Sequence, residues 1–252
     1  MEHNLTQKEI LHILSLMGEK ILRCGGEANR AEDTVSRIGK AYGIDQIHVF
    51  AIASSVIITI EDEGEEILTQ TRRIQRISTD LDKLNKLNAL SREICQKRLA
   101  YEEVMEKIAE IDSGKVYPPV VKMLAYALVG GSFSIFFGGG WQEGIVGFLV
   151  GAMIHFVIRL LNYLQAPPFF TNVGGAAATV IFIKLFTFLF TTLEISPTTI
   201  GVLMNLVPGV LLTNCIRDFV ATDYSAGTPK IMETLLVAAA IALGVGVSIL
   251  WR

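Results

Sequence analysis

Residues 205–218, NLVPGVLLTNCIRD, set polar chemistry inside an apolar run. Asn205, Thr213 and Asn214 supply amides and a hydroxyl, Pro208 and Gly209 interrupt any helix that contains them, and Arg217 and Asp218 close the stretch with opposite charges. Proline removes a backbone donor, which leaves carbonyl groups one turn earlier without partners. Hydrocarbon offers those groups nothing, so such a break belongs beside a protein-lined or water-filled cavity. Asn205, Thr213 and Asn214 can bond either to the break or to a polar solute. Asp218, one turn beyond Asn214, shares its helical face. Broken helices of this kind form solute sites in secondary transporters. The competing reading is a packing kink flanked by interfacial charges.

A second set of polar groups is scattered through other apolar segments. His155 lies one turn from Arg159, and Lys184 sits well inside the segment that Asn172 opens. Intramembrane ionisable groups mark solute or ion pathways by default, so His155, Arg159, Lys184 and Arg217 are candidates for the pathway or for coupling. For Lys184 the alternative is a side chain that snorkels to the outer surface.

These residues need a frame, and the charge distribution supplies one. Of the 22 Lys and Arg, 16 precede Tyr117, as do 20 of the 25 Asp and Glu; the remaining 136 residues carry 6 basic and 5 acidic side chains. The expected fold is an α-helical membrane protein: a small cytoplasmic α+β domain over 1–116, then five transmembrane helices over 117–252. A span takes about 20 mainly apolar residues. Segments 119–137, 144–164, 169–193, 197–219 and 230–250 meet that requirement, separated by GGGWQE, NYLQAPP, EISP and DYSAGTP. Small residues in VGGSFS, VGFLVGA, VGGAAAT and LGVGVS predict close helix packing.

Basic residues near the spans set the orientation. In a five-pass arrangement Lys115, Lys122, Arg159, Arg217 and Lys230 share one side, facing Glu143, Glu194 and Arg252 on the other. The N-terminus is then cytoplasmic and the C-terminus external. The polar start, with no apolar run after a basic stretch, agrees with that orientation.

In the polar part, TQKE at 6–9 reads as a capping box opening a helix, RCGGE at 23–27 ends it, and a second helix runs from about Asn29 to a stop at Gly43. The β-branched run after Gln46, with a turn at 61–64, predicts two or three short strands, and helical spacing resumes at Leu81 and again at Val104. The segment GGEANRAED gathers Gly25, Glu27, Arg30, Glu32 and Asp33, either as a charged contact site or as a solvated first turn whose acids meet the helix dipole. His3, His12 and His48 are isolated, and EDEGEE lacks the alternating ligands of a calcium loop, so no metal and no cofactor is expected. No phosphate-binding loop, nucleophile elbow or HExxH occurs, so the chain does not read as an enzyme. A net charge of −3 supplies no basic field for nucleic acid. Three well-separated cysteines read as reduced structural thiols.

The order GGEANRAED, YGIDQIHVFAIASSVIITIEDEG, GGGW at 138–141 and LVPGVLLTNCIRD resembles the threonine/serine exporter family, in the YjjP-like subunit form that corresponds to the family's N-terminal half. The resemblance implies proton-coupled secondary export of small polar metabolites across a bacterial inner membrane, with threonine, serine or C4-dicarboxylates such as succinate as solutes. It carries over onto Gly25, Glu27, Gly139, Gly140, Trp141, Pro208, Gly209, Asn214 and Asp218, and not onto Arg217 or Lys184. Full-length relatives continue into a second membrane half, so the resemblance implies a YjjB-like all-membrane subunit as partner, with self-association as the second expectation. The alternative from another class is a membrane-anchored scaffold or regulatory subunit without transport of its own.

Overall fold

The computed structural model describes residues 5–61, 66–75, 78–114 and 117–250, apart from the side chain of residue 249. The expected turn at 61–64 therefore lies largely outside the described residues. The chain divides into two compact units, one taking in the chain up to residue 115 with Asp223–Ala226, the other residues 116–222 with the remainder.

In the first unit, α1 (Gln7–Arg23) opens on a capping box in which Thr6 and Glu9 satisfy each other's backbone N–H groups. The helix buries Ile10, Leu14, Met17 and Ile21 on one stripe. It stops where Gly25 takes a φ of +85°, a conformation that side chains with a Cβ resist. α2 (Ala28–Ala41) follows and ends before Gly43, at φ +90°. Three antiparallel strands come next, β1 (Gln46–Ile52), β2 (Ser55–Glu61) and β3 (Leu68–Arg73), in the order β1-β2-β3.

The register sets Ala51 opposite Val56 and Val49 opposite Ile58. Period-two alternation then puts Val56, Ile58 and Ile60 into the core and leaves Phe50 and Ile57 outside. α3 (Leu81–Lys97), capped by Asp80, and α4 (Tyr101–Asp112) complete the unit. Tyr42 donates its hydroxyl to the Leu99 carbonyl at 2.8 Å, and burial pushes its phenol up to about 12.

The second unit holds α5 (Pro119–Phe136), α6 (Trp141–Tyr163), α7 (Pro168–Thr187), α8 (Ile195–Leu203), α9 (Gly209–Val220) and α10 (Tyr224–Leu250). Among the described residues, four helices are long and apolar enough to cross a membrane: α5, α6, α7 and α10. The expected fourth span, 197–219, is instead two short helices, because Pro208 and its neighbours stop the hydrogen-bond ladder between Leu203 and Gly209. Four of the five expected spans are thus continuous helices, and the expected break at Pro208 and Gly209 divides the remaining one. α10 also starts earlier than expected, at Tyr224, and carries Pro229 within its first turns.

Glycine decides how closely these helices approach. A Cβ on Gly130 of α5 would lie 2.4 Å from the Gly147 carbonyl oxygen of α6, and one on Gly201 of α8 would lie 2.3 Å from the Ser134 nitrogen of α5. Only bare backbone fits there, so α5, α6 and α8 pack as one body. α7 and α10 run parallel: Gly244 lies against Val173 and Ala177, and Ser248, one turn on, bonds to the carbonyl of Ala177 and accepts at its own carbonyl from Lys184.

Candidate functional site

Between α8 and α9 the backbone takes three tight turns. Asn205 N–H donates to Val202, Leu206 N–H to Leu203, and Gly209 N–H to Val207, at 3.1, 2.8 and 2.9 Å. Asn205 then reaches across to α5, its amide donating to the Tyr126 carbonyl at 3.2 Å and to the Val202 carbonyl at 3.1 Å. Thr213 donates to the Gly209 carbonyl at 2.9 Å. A Cβ added to Gly175 of α7 would meet Leu206 at 3.4 Å, so the break lies level with residues 126 and 175, a little way in from the start of α5 and α7.

Tyr126 is also the link to a cavity of about 550 Å³ at that end of the unit. Lys122 and Tyr126 of α5 line it with His155, Arg159 and Asn162 of α6, and Tyr117 stands at its rim. The antiparallel α5–α6 hairpin brings these groups together, since the start of one helix meets the end of the other. The His155 and Tyr126 rings are tilted, with centroids 5.2 Å apart. His155 is only 8% exposed, and its Nε2 has no hydrogen-bond partner among the described residues. Buried polar atoms are nearly always satisfied, which makes this nitrogen an exception that calls for a ligand or a water. Lys122 and Arg159 keep their heads exposed.

The other expected site residues are placed as follows. Asp218 is buried and pairs with Lys230 of α10, Oδ2 to Nζ at 2.5 Å. Asn214, one turn earlier, accepts from Arg217 at 2.6 Å, so the two polar groups of that helical face have separate partners. Lys184, near the end of α7 remote from the cavity, donates to the Ser248 carbonyl at 2.8 Å, a backbone partner rather than a carboxylate. In the first unit, Gly25 supplies the turn before α2 and Glu27 its N-cap position. Arg30 is exposed, and Glu32 accepts from the Ala51 N–H at 2.7 Å, tying α2 to the end of β1. Asp33 pairs with Arg37 along α2.

At the opposite end of the α5–α6 hairpin, Glu143 is 5% exposed and accepts from the N–H groups of Gly140 and Glu194 at 2.7 and 2.9 Å. Among the described residues no three His, Cys, Asp or Glu side chains are grouped to hold a metal.

Sequence reasoning used Lys122 and Lys230 only for orientation and missed Tyr126 and Asn162. Pairing the ends of two spans joined by a short turn would have found Lys122 beside His155 and Arg159.

Long apolar helices in glycine-packed contact, with an interrupted helix among them, make this a multi-pass helical membrane protein. The chain belongs to the threonine/serine exporter family: residues 12–250 match the family model described as "Putative threonine/serine exporter". It is 28% identical over 249 residues to a threonine/serine exporter of Corynebacterium glutamicum, covering 95% of this chain and 50% of that protein. It is 23% identical over 227 residues to the "Probable succinate transporter subunit YjjP" of Klebsiella aerogenes, covering 89% of this chain and 87% of the relative. Against the protein of the same name in Escherichia coli K12 the identity is 22% over 241 residues, covering 95% and 93%. The chain thus spans about half the length of the Corynebacterium relative and most of the length of the other two. No solved structure matches it.

Proposed function

We propose that this chain is one half of a secondary transporter that exports small polar metabolites across a bacterial inner membrane, driven by the proton gradient. The observation that carries this reading is the juxtaposition of helix break and cavity. Asn205, at the break, bonds to the backbone of Tyr126, whose ring stands beside His155 in the cavity wall. Irregular backbone at membrane depth is tolerated where it is covered by protein or lines an aqueous space; here α5 covers the break at Tyr126, and the same residue lines the cavity. Transport, rather than catalysis, is the activity that such a site serves, and threonine, serine and succinate are the solutes named for the relatives.

The membrane topology follows the same reading. α8 and α9 together make a fifth, interrupted crossing, supported by the parallel course of α7 and α10, which requires the intervening chain to return. Residues 1–116 then form a cytoplasmic α+β domain, 117–252 the membrane domain, and the C-terminus is external. Lys122, Arg159, Arg217 and Lys230 lie at the cytoplasmic ends of the crossings, as basic residues favour.

The partner is a YjjB-like membrane subunit that completes the bundle. Two observations support it: the first relative is about twice as long, and the other two are named as subunits.

The test is counterflow of radiolabelled serine, threonine and succinate in vesicles, with and without that subunit. Exchange that needs both proteins is the expected result. Full-rate exchange by this chain alone overturns the two-subunit reading. No exchange of any of the three overturns the transporter reading in favour of a membrane-anchored scaffold.

A further inference from the structure

We infer that Lys122, His155 and Arg159 form a binding site for a small dicarboxylate and that this site selects against zwitterionic amino acids. The inference rests on the transporter reading and assigns the solute class to its cavity.

Charge is the first observation. Beside Pro118, Pro119 and Ile158, the cavity wall carries two permanent cations and an imidazole, with the hydroxyls of Tyr117 and Tyr126 and the amide of Asn162, and among the described residues no carboxylate. The buried acids of the same unit are engaged elsewhere, Glu143 by two backbone N–H groups and Asp218 by Lys230. An α-amino acid brings an ammonium next to its carboxylate. That ammonium is repelled by the two cations of this wall and finds no carboxylate there to offset them. A dianion gains attraction at both ends.

Geometry is the second observation. His155 and Arg159 stand one turn apart on the same face of α6, a rise of about 6 Å for four residues. That separation is comparable to the span of an extended four-carbon diacid. Arg159 offers a planar fork to the outer carboxylate, and Lys122 adds a point charge from the facing helix. The deeper carboxylate reaches His155, whose buried, unpartnered Nε2 donates when the proton resides there. At about 550 Å³ the cavity falls in the usual range for small-molecule sites, about 300–1,000 Å³.

Exposed basic and aromatic side chains at helix ends also contact lipid phosphates, which share anionic oxygens with the diacid. Headgroup contact gives no use to a buried ring nitrogen one turn further in, and that nitrogen favours the soluble ligand.

The experiment measures binding of radiolabelled succinate to the full chain in nanodiscs of phosphatidylcholine, and again with phosphatidylglycerol added. Competitors are unlabelled succinate, propionate, threonine and serine. Unlabelled succinate is expected to compete at least about tenfold better than propionate or threonine. Lys122→Gln and Arg159→Gln should each weaken succinate binding about tenfold or more, with unchanged melting temperature, since both side chains are exposed. His155→Gln, which keeps a donor, should bind better than His155→Leu. Affinity should fall with added salt.

Equal or better competition by threonine, or unchanged affinity in both cation variants, overturns the dicarboxylate site. So does displacement of succinate by phosphatidylglycerol, which assigns the cavity to lipid. Counterflow with the partner subunit separates the two levels of inference. Threonine exchange indifferent to Lys122→Gln leaves the exporter reading standing and removes the dicarboxylate site, whereas absence of all exchange removes both.

Discussion

Asp218 of α9 and Lys230 of α10 form an ion pair with side chains only 8% and 14% exposed, the carboxylate and ammonium 2.5 Å apart. Twelve residues separate them in the chain, and the pair closes the α9–α10 corner beside the Cys215 to Gly227 contact. Removing one member strands a buried charge, which costs about 3–5 kcal/mol, whereas removing both costs far less.

The first prediction uses that asymmetry to separate structure from transport. Lys230→Gln should lower the melting temperature of the purified protein markedly, and Asp218→Asn with Lys230→Gln should recover most of the loss. Thermal unfolding followed by fluorescence size exclusion reads both. If Asp218→Asn alone abolishes export while melting like the parent, the carboxylate acts in the pathway, and the structural account of the pair is wrong.

Glu143 joins the start of α6 to the segment before α8 through two backbone donors. Glu143→Ala leaves both N–H groups to water, since Gly140 and Glu194 are exposed, and should destabilise the protein by about 1–3 kcal/mol, at about 0.5–1.5 kcal/mol for each hydrogen bond lost. Glu143→Gln keeps an acceptor oxygen and should lie in between. The order parent, Gln, Ala in thermal midpoint is the expected result.

The α5–α6 contact admits no side chain at Gly130. Gly130→Ala forces the helices apart against the Gly147 carbonyl and should cost about 1–3 kcal/mol by overpacking. Gly138→Ala, by contrast, meets no atom within 4 Å but sits at φ +97°, so its smaller penalty comes from backbone strain alone. Comparing the two melting temperatures distinguishes steric from conformational cost.

Burial pushes the thiols of Cys24 and Cys95 up, with Asp80 adding to the effect at Cys24. Raising the pKa lowers the thiolate fraction at pH 8, and the thiolate is the reacting species. Both should therefore alkylate with N-ethylmaleimide more slowly than glutathione at that pH, and at the free-thiol rate once denatured. Mass spectrometry of timed samples measures this, and native labelling at the glutathione rate contradicts the burial.

The sequence made the apolar segments and the interruption at Pro208 legible because both depend on local composition. It also made the capping box at Thr6 and the stop at Gly25 legible, as these need only neighbouring residues. The cavity was beyond it. Lys122 and His155 are 33 positions apart and meet only because Gly130 and Gly147 let two helices lie in contact, a pairing that periodicity does not encode. The amide of Asn205 was read as a solute ligand or a partner for the break, and the fold directs it to a carbonyl of α5 and one of its own turn. The ion pair of Asp218 was hidden for a different reason: each partner already had a plausible local role, one as a polar pathway residue and the other as a flanking cation.

Gly201 locks α8 against Ser134, while the Asp218 pair fastens α9 to α10. The two pieces of the interrupted crossing thus answer to different neighbours, like halves of a snapped rod clamped in separate vices. Any displacement of one clamp against the other has to be taken up by the five residues from Met204 to Pro208, which makes that short stretch the natural elbow of the bundle.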